Sequence, residues 1–203
     1  MSAAHAAVVL AAGGSTRLGR PKQLLTRDGE TLVHRAARLA LESGAARVLV
    51  VVGAHADEVR AAVAALPVEC LANPAWSSGM ASSLRLAAEA LASHDGATLL
   101  LVCDQPALEV AHLHALREAA QRVPSGSAAT RFGERLGIPA WVCAPLLHKA
   151  LALDDGDRGL RDVLNAASAE IAACDAPTLA HDVDTPDDVA AAVVQGWLVR
   201  AEA

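Results

Sequence analysis

An apolar run, typical of a buried strand, that ends in a basic, glycine-rich loop is the feature that most constrains the fold of this chain. Residues 6–12 form an apolar run without polar alternation, which is typical of a parallel strand covered on both faces. The next ten residues, 13–22, contain three glycines, two hydroxyl side chains, two arginines and a lysine. Glycines let backbone N–H groups approach an anion closely, and the basic side chains add positive charge. The pattern predicts a phosphate site at the carboxyl edge of an α/β sheet.

The loop matches neither of two common phosphate-binding motifs. Gly14 and Gly19 have the spacing of a P-loop, but Arg20 and Pro21 stand where that motif has Lys and Ser or Thr. The dinucleotide fingerprint G-x-G-x-x-G also fails, because Gly13 and Gly14 are adjacent. An extended loop that wraps around a triphosphate remains. The alternative is a solvated connector between a strand and a helix, although loops of this composition usually carry function.

Length and charge limit the functions that fit the chain. A chain of 203 residues is expected to form a single domain, residues 1–203. Its net charge is −6, and positive charge is concentrated near residues 17–22, which favours a small anionic ligand over nucleic acid or a membrane surface. Residues 1–6 lack the basic start of a secretion signal, so we expect a cytoplasmic protein. The four cysteines lie far apart, which predicts buried, reduced thiols.

Hydrophobic periodicity after the loop predicts an α/β fold. Helical spacing over residues 31–43 and 56–66 alternates with apolar, strand-like runs over residues 47–52 and 68–71. This order predicts a mostly parallel sheet with right-handed crossovers. Residues 97–103 form the most apolar run, and we expect the central strand there.

Asp104 is the first candidate metal ligand. It follows the run over residues 97–103 directly, at the carboxyl end of a predicted parallel strand, where ligands bind in such sheets. Pro106 then starts a turn that fixes the direction of the carboxylate. A turn or helix-cap role for Asp104 is the alternative. Because Mg²⁺ usually takes one or two carboxylates together with phosphate oxygens and water, Asp104 suits a triphosphate site.

Two further candidate ligands lie near the end of the chain. Asp182 and Asp184 alternate with an apolar residue in a short extended piece, so they share one face. Thr185, Pro186 and Asp188 complete the start of the following helix without them. We therefore expect a second metal ligand here, with Asp184 preferred to Asp182.

Residues 73–83 are the second unusual segment. A turn and Trp76 are followed by serine- and glycine-rich sequence that continues directly into a helical pattern. Small polar residues at a helix start can serve only as caps. In the alternative, Gly79 allows a ligand to approach closely, and Ser82 or Ser83 hydrogen-bonds a base or ribose. The residues alone leave both interpretations open.

Taken together, these residue types indicate nucleotidyl transfer. A triphosphate would lie over residues 13–22, with Mg²⁺ or Mn²⁺ on the carboxylates, while a phosphate oxygen of a second substrate attacks the α-phosphorus. We expect Arg17 and Lys22 to be catalytic, because they supply positive charge where the α-phosphate and pyrophosphate develop negative charge.

The stretch L-A-A-G-x-S-x-R-x-G-x-P-K over residues 10–22 resembles the signature of the sugar-nucleotide and cofactor nucleotidyltransferases. It is most similar to the form found in the molybdenum cofactor cytidylyltransferases. The resemblance implies a three-layer α/β/α, Rossmann-like nucleotidyltransferase fold with a mostly parallel sheet. It also implies a nucleotide-binding half, residues 1–106, and a second-substrate half, residues 107–203.

The resemblance extends to the other segments. N-P-x-W-x-x-G-M-x-x-S over residues 73–83 is similar to the second nucleotide segment of the family, and D-x-P and D-x-D-T-P-x-D at residues 104–106 and 182–188 are similar to its metal segments. The nucleotide-binding residues implied in this way are Leu10, Ala11, Ala12, Gly13, Gly14, Ser15, Gly79 and Ser83.

The identity of the second substrate is implied by the resemblance alone. G-x-P at residues 137–139 and G-D-x-G-x-R at residues 156–161 are similar to the family's second-substrate segments, which implies roles for Gly137, Pro139, Asp157 and Gly159. We expect residues 133–137 to connect two strands. The implied substrate is molybdopterin, with a molybdenum hydroxylase or its accessory chaperone as a protein partner.

The choice of nucleotide depends on one position. Ala11-Ala12-Gly13 is similar to the cytidylyltransferase form, whereas the guanylyltransferase form has Ala-Gly-Gly, and a larger residue at position 12 narrows the space for a purine. CTP is therefore the expected nucleotide. Two alternatives stay open: a transferase of the same fold that uses GTP, a sugar phosphate or a methylerythritol phosphate, and a non-catalytic protein that holds the cofactor.

Overall fold

A seven-stranded, mostly parallel sheet forms the centre of the protein. The computed structural model describes residues 4–154 and 159–199. The strands are β1 (Ala6–Ala11), β2 (Thr26–Arg27), β3 (Glu30–Thr31), β4 (Arg47–Val52), β5 (Glu69–Ala72), β6 (Thr98–Val102), β7 (Ala128–Phe132), β8 (Arg135–Val142) and β9 (Ala172–Asp175). The order across the main sheet is β5-β4-β1-β6-β8-β7-β9, in which β8 is antiparallel to both neighbours, and β2 and β3 form a separate short ribbon.

Helices cover both faces of this sheet. They are α1 (Leu32–Glu42), α2 (Ala56–Val63), α3 (Met80–Ala90), α4 (Val110–Ala120), α5 (Ala144–His148), α6 (Gly159–Ala166) and α7 (Pro186–Val194). Helices α1, α2 and α4 pack into one hydrophobic core, and α3, α5 and α6 pack into the core on the opposite face. The three-layer α/β/α fold with a mostly parallel sheet is thereby confirmed. In the described ranges, no helix is long and apolar enough to cross a membrane.

Strand β1 illustrates why its sequence does not alternate between apolar and polar residues. Ala7 and Val9 belong to the core beneath α1, while Val8 and Leu10 belong to the core beneath α3. All six residues of the strand are buried. Because both faces are covered by helices, both sets of side chains must be apolar. The glycine-rich loop therefore begins at the carboxyl end of a buried strand inside the sheet.

Threonine caps two helix starts, and the cap of α7 confirms the one expected from the sequence. At α7, Thr185 accepts a hydrogen bond from the backbone of Asp188, whose side chain accepts one from the backbone of Thr185, and Pro186 is the first helical residue. At α1, Thr31 accepts from the backbone N–H of His34. The reciprocal bonds at α7 and the single bond at α1 satisfy backbone donors that a helix start leaves unpaired.

Several local features differ from the sequence-based expectations. The predicted connector 133–137 is too long, because pairing between β7 and β8 continues to Phe132 and Arg135 and leaves a two-residue turn. Strand β9 was not expected; it is a short strand on the edge of the sheet, and its sequence has no β-branched residue. Only Cys103 is fully buried, and the other three cysteines, also free, are half-buried.

The carboxyl ends of β1 and β4 approach each other so closely that one position there requires glycine. A Cβ on Gly53 would lie 2.5 Å from the carbonyl oxygen of Ala12 and 2.6 Å from Cβ of Trp76. The ring of Trp76 also lies against Gly14, where an added Cβ would be 2.9 Å from Cζ3. The glycine-rich loop, the end of β4 and the Trp76 segment are therefore packed together without space for extra atoms.

We expect Gly53→Ala to lower the free energy of unfolding by about 1–3 kcal/mol, the usual cost of overpacking. Urea denaturation measures this change. Gly13→Ala is the matched control, because a Cβ there meets nothing within 4 Å, and it should change the free energy of unfolding by less than about 0.5 kcal/mol. Equal stability of the two variants would contradict the close packing described here.

Candidate active site

The loop after β1 is held in a defined shape by its own side chains. Ser15 has a left-handed backbone, with φ of 51°, which is uncommon for a residue other than glycine. Its hydroxyl accepts a hydrogen bond from the backbone N–H of Lys22 at 3.0 Å, so the two ends of the loop are tied together. The loop is thus a folded unit that brings Lys22 back beside the end of β1.

Lys22 joins two carboxylates from distant parts of the chain. Its Nζ donates to Oδ2 of Asp104 at 2.5 Å and to Oδ1 of Asp184 at 2.7 Å. Arg17 donates to the other oxygen of Asp184 at 2.8 Å. The side chains of Lys22 and Asp104 are only 16% and 15% exposed, whereas that of Arg17 is 69% exposed. Four residues expected to be functional are therefore in direct contact.

The charges in this cluster stabilise one another. Burial opposes the charge of Lys22, but the carboxylates of Asp104 and Asp184 outweigh it and raise the pKa of Lys22 above its usual range. Partial burial likewise opposes the charge of Asp184, but Lys22 and Arg17 hold the pKa of Asp184 below its usual range. At neutral pH the lysine is therefore positive and Asp184 negative. Next to them, burial raises the pKa of the Cys103 thiol to about 12, so that thiol is inert.

Backbone and side-chain bonds hold the two carboxylates at the same place. Asp104 follows β6, and its carbonyl oxygen accepts a hydrogen bond from the backbone N–H of Val183 at 2.9 Å, one residue before Asp184. Arg27 donates to the carbonyl oxygen of Pro106 at 2.5 Å and so anchors the turn after Asp104. The capping box of α7 fixes the residues just after Asp184. The positions of both carboxylates are therefore set by the fold.

The donor set at this place fits a divalent cation. Oδ1 of Asp104 is buried and has no hydrogen-bond partner among the described residues. An orphaned carboxylate oxygen beside a second carboxylate suits a hard cation, which prefers oxygen ligands. Within residues 4–154 and 159–199, no group of three or more His, Cys, Asp or Glu side chains could hold a metal ion by itself. Remaining ligands would therefore have to come from a substrate or from water.

Asp182, the less preferred candidate ligand, lies on the other side of Asp104. It lines the same cavity as Asp104 and keeps part of its side chain exposed. Packing against the cavity wall, together with the negative charge of Asp104, raises the pKa of Asp182 above its usual range. Asp182 makes no ion pair with Lys22 among the contacts of the described residues, unlike Asp184. The preference for Asp184 as the second ligand stays a prediction.

The Trp76 segment is organised by Asn73, which the sequence analysis treated only as part of a turn. Its Nδ2 donates to the hydroxyls of Ser82 and Ser83 at 2.8 and 2.9 Å, and its Oδ1 accepts from the backbone N–H of Ala75 at 2.9 Å. Ser83 is only 4% exposed. Gly79 has φ of 105° and precedes α3, so this position requires glycine for its backbone. Their roles toward a ligand stay predictions.

A cavity of about 310 Å³ opens beside Asp104. Its walls are about equally polar and apolar, and its polar groups include the carboxylates of Asp104 and Asp182 and the side chains of Arg135 and Arg161. The apolar side chains that line it include Met80, Val102, Phe132, Leu136, Leu160 and Leu164. Phe132 is the only phenylalanine of the chain, and it packs against Gly137, where an added Cβ would lie 3.0 Å from the ring.

The expected second-substrate residues do not all reach this cavity. Gly137 lines it, whereas Pro139 is buried in β8 and accepts a hydrogen bond from Thr130 at 2.7 Å. Gly159 is the first residue of α6. Asp157 lies outside the described residues. Arg135 was not singled out from the sequence, where a lone arginine carries no positional signal, and Arg161 was part of the G-D-x-G-x-R motif but was assigned no role of its own.

Comparisons with known proteins agree with this geometry. A family model described as the MobA-like NTP transferase domain matches residues 7–171. The protein named nicotine blue oxidoreductase from Paenarthrobacter nicotinovorans is 34% identical over 190 residues, which cover 90% of this chain and 93% of that protein. A probable molybdenum cofactor guanylyltransferase from Opitutus terrae is 35% identical over 123 residues, which cover 60% of this chain and 58% of that protein.

A solved structure has the same architecture. Rv0371c from Mycobacterium tuberculosis H37Rv superposes with a TM-score of 0.79 and 27% sequence identity, covering 96% of this chain and 100% of that one. A second structure of Rv0371c is described as a complex with manganese, and it superposes with a TM-score of 0.75, 26% identity and coverage of 93% and 97%.

Lys22 occupies the positions on Asp104 and Asp184 that a cation would take, and this gives a prediction. We expect Lys22→Met to raise the affinity of the ligand-free protein for Mn²⁺ by about tenfold or more, because a neighbouring opposite charge typically changes the proton affinity of a carboxylate by that much. Electron paramagnetic resonance of free Mn²⁺ measures the affinity.

Lys149→Met is the matched control, because Lys149 is the only other lysine of the chain and lies exposed between α5 and α6. Its affinity for Mn²⁺ should equal that of the unmodified protein. Equal affinities of all three proteins would mean that Lys22 does not compete with a cation for the two carboxylates.

Proposed function

The chain belongs to the family of MobA-like NTP transferase domains, and from that premise we propose that it transfers CMP from CTP to the phosphate of molybdenum-bearing molybdopterin. The products would be molybdopterin cytosine dinucleotide and pyrophosphate. Nucleotidyl transfer rests on the family and on the site; the identity of both substrates is the part we propose.

The observation that carries the proposal is the meeting of Lys22 with Asp104 and Asp184 at the end of a glycine-rich loop. A loop of this kind offers backbone N–H groups to phosphates, and two carboxylates with a free oxygen suit a divalent cation. Arg17 and Lys22 can turn toward the phosphates when a cation replaces them on the carboxylates. The same few side chains thus serve the nucleotide and the metal.

The proposed reaction needs little acid–base chemistry from the protein. An oxygen of the acceptor phosphate forms a bond to the α-phosphorus, and the bond between that phosphorus and the bridging oxygen to the β-phosphate breaks in line with it. The electron pair leaves with pyrophosphate. Because the attacking oxygen is already anionic, no general base is required, and positioning and charge neutralisation account for the rate.

Arg17 and Lys22 would supply most of the charge neutralisation that comes from side chains. Mg²⁺, or Mn²⁺ in its place, would be held by Asp104 and Asp184 and would neutralise charge on the α-phosphate and pyrophosphate. Lys22 is largely buried, so its charge acts in a less solvated place than that of an exposed lysine. Asp182, which lines the cavity together with Asp104, is the alternative to Asp184 as the second carboxylate for the metal.

The proposed preference for CTP rests on Ala12. This residue is only 6% exposed, follows β1 directly, and its carbonyl oxygen accepts a hydrogen bond from the backbone N–H of Ala54 at 3.1 Å. Its position is therefore fixed, and its methyl group takes space that glycine would leave. A pyrimidine needs less of that space than a purine.

The cavity beside Asp104 supports an acceptor with a flat ring and a phosphate. Its apolar lining includes the ring of Phe132 and several leucines, which suits a fused heterocycle such as a pterin better than a sugar rich in hydroxyls. Arg135 and Arg161 are the cations that line it, and guanidinium groups bind phosphate well. Gly137 would border this acceptor site, and Gly159 directly precedes Leu160 and Arg161, which line it.

The name of the Paenarthrobacter relative raises a different reaction, the reduction or oxidation of a dye. The loop after β1 lacks the G-x-G-x-x-G fingerprint, and the paired carboxylates beside Lys22 suit a triphosphate, so we retain nucleotidyl transfer. A cytoplasmic protein that only holds the cofactor for a molybdenum hydroxylase, or for its accessory chaperone, would bind the same ligands without releasing pyrophosphate.

Pyrophosphate release tests the proposal. Each of the four NTPs is incubated with Mg²⁺ and the protein, with and without molybdenum cofactor. We expect release with CTP only and only when the cofactor is present, and at least tenfold slower release for Lys22→Ala, since losing one such contact often costs about 10²–10³ in rate.

Release with GTP alone would overturn the assignment of the base, and release with a sugar phosphate or methylerythritol phosphate would overturn the acceptor. Binding without release would indicate the cofactor-holding protein. Consumption of a reduced nicotinamide cofactor with a dye would indicate an oxidoreductase.

A substitution at position 12 tests the base assignment separately. We expect Ala12→Gly to lower the ratio of kcat/KM for CTP to that for GTP by about tenfold, within the range that small steric differences in a binding pocket produce. Ala64→Gly, at an exposed position after α2, controls for added backbone flexibility and should leave the ratio unchanged. An unchanged ratio for Ala12→Gly would remove Ala12 from base selection.

A further inference from the structure

Gln23 is a fully buried amide directly after Lys22, and no sequence motif singled it out. Its side chain is 0% exposed, in a short helical turn over Lys22–Leu24. Nε2 donates to the carbonyl oxygen of Ala11 at 3.1 Å and to that of Gly13 at 2.6 Å. Oε1 accepts a hydrogen bond from the hydroxyl of Ser15 at 3.2 Å. All three bonds are made to the segment that leaves β1.

These bonds determine which way the peptide groups of the loop face. In a trans peptide the C=O and the following N–H point in opposite directions. Because the carbonyl of Gly13 points at the buried Gln23, the N–H of Gly14 points away from it, toward the outside of the loop. In the part of the chain that the structure describes, the N–H of Gly14 donates to no protein acceptor. Outward N–H groups of this kind bind anions.

The same amide also supports the strained part of the loop. Ser15 has a left-handed backbone, which costs free energy for a residue with a Cβ. Its hydroxyl is held between the side chain of Gln23 and the backbone N–H of Lys22. One buried side chain therefore fixes the peptide group between Gly13 and Gly14, the hydroxyl of Ser15 and, through that hydroxyl, the backbone of Lys22.

The geometry points to Gln23 as the positioning residue of the polyphosphate site. It would touch no ligand itself; it acts by turning the N–H groups of the glycine-rich loop outward and by fixing the base of Lys22 before a ligand arrives. Carbonyl oxygens that face inward cannot repel the phosphates. This inference rests on the proposed binding of a nucleoside triphosphate at this loop.

Two variants of Gln23 test this role. Gln23→Met keeps the volume but has no donor, and Gln23→Glu keeps the shape but donates only when its carboxyl group is protonated. Calorimetry in the presence of Mg²⁺ gives the Kd for CTP and for tripolyphosphate between pH 6 and pH 9, and thermal unfolding identifies conditions in which each variant is folded. Gln121→Glu, at an exposed glutamine after α4, is the control for an added carboxyl group.

We expect Gln23→Met to weaken both ligands by at least tenfold at every pH, relative to the unmodified protein at the same pH. For Gln23→Glu the loss should grow as the pH rises, because the ionised carboxylate can donate to neither carbonyl oxygen. Gln121→Glu should behave like the unmodified protein. If Gln23→Met does not fold, the pH dependence of Gln23→Glu still decides, because thermal unfolding shows at which pH values that variant is folded, and a loss of binding at those pH values is not a loss of the fold.

Unchanged Kd values for a folded Gln23→Met, a pH-independent loss for Gln23→Glu, or a loss for CTP without one for tripolyphosphate would each overturn the inference. Failure of the unmodified protein to bind CTP or tripolyphosphate would instead overturn the proposed function. The two failures are therefore distinguishable in one set of measurements.

Discussion

The ion pairs of Lys22 with Asp104 and Asp184 are the interaction on which the arrangement of the site depends. They connect the loop after β1, the end of the neighbouring strand β6 and the segment before α7. Taking charges out of water is costly unless they are paired and hydrogen-bonded, and here each charge finds a partner. The positive charges of Lys22 and Arg17 also balance the negative charges of Asp104 and Asp184. A cation bound to the two carboxylates would release Lys22, which could then pair with an anion, so the two ions would bind together more easily than either alone.

The packing of the strand ends explains how such a cluster is presented. Parallel strands bring their carboxyl ends to one edge of the sheet, and small residues let the following segments come close together. Gly53, Gly14 and Trp76 fill the space between the glycine-rich loop and the end of β4. Buried amides then orient the backbone: Gln23 in the loop and Asn73 in the Trp76 segment. The backbone segments that carry the charged side chains are therefore held in place by packing and by buried hydrogen bonds.

The comparisons place this chain in a family, and the relatives that it matches are named for different reactions. The structure offers a physical reason for that diversity. The loop after β1 and the carboxylates form one part of the site, and the cavity beside Asp104 forms another, lined largely by residues from β7, β8 and α6. A change in the lining of the cavity can alter the acceptor without disturbing the phosphate loop.

The sequence by itself determined the α/β class with a mostly parallel sheet, the glycine-rich loop and the place of Asp104 after a buried strand, because these follow from local periodicity and from the rule that parallel strands end at one edge. The three-layer arrangement was implied by the resemblance of its motifs to a known family. It did not determine the contact of Lys22 with Asp104 and Asp184, the roles of Gln23 and Asn73, or the arginines in the cavity. Those depend on side chains that meet across 8 to 162 positions of the chain. Only the tertiary structure brings such partners within hydrogen-bonding distance, since no local pattern records which distant groups will meet.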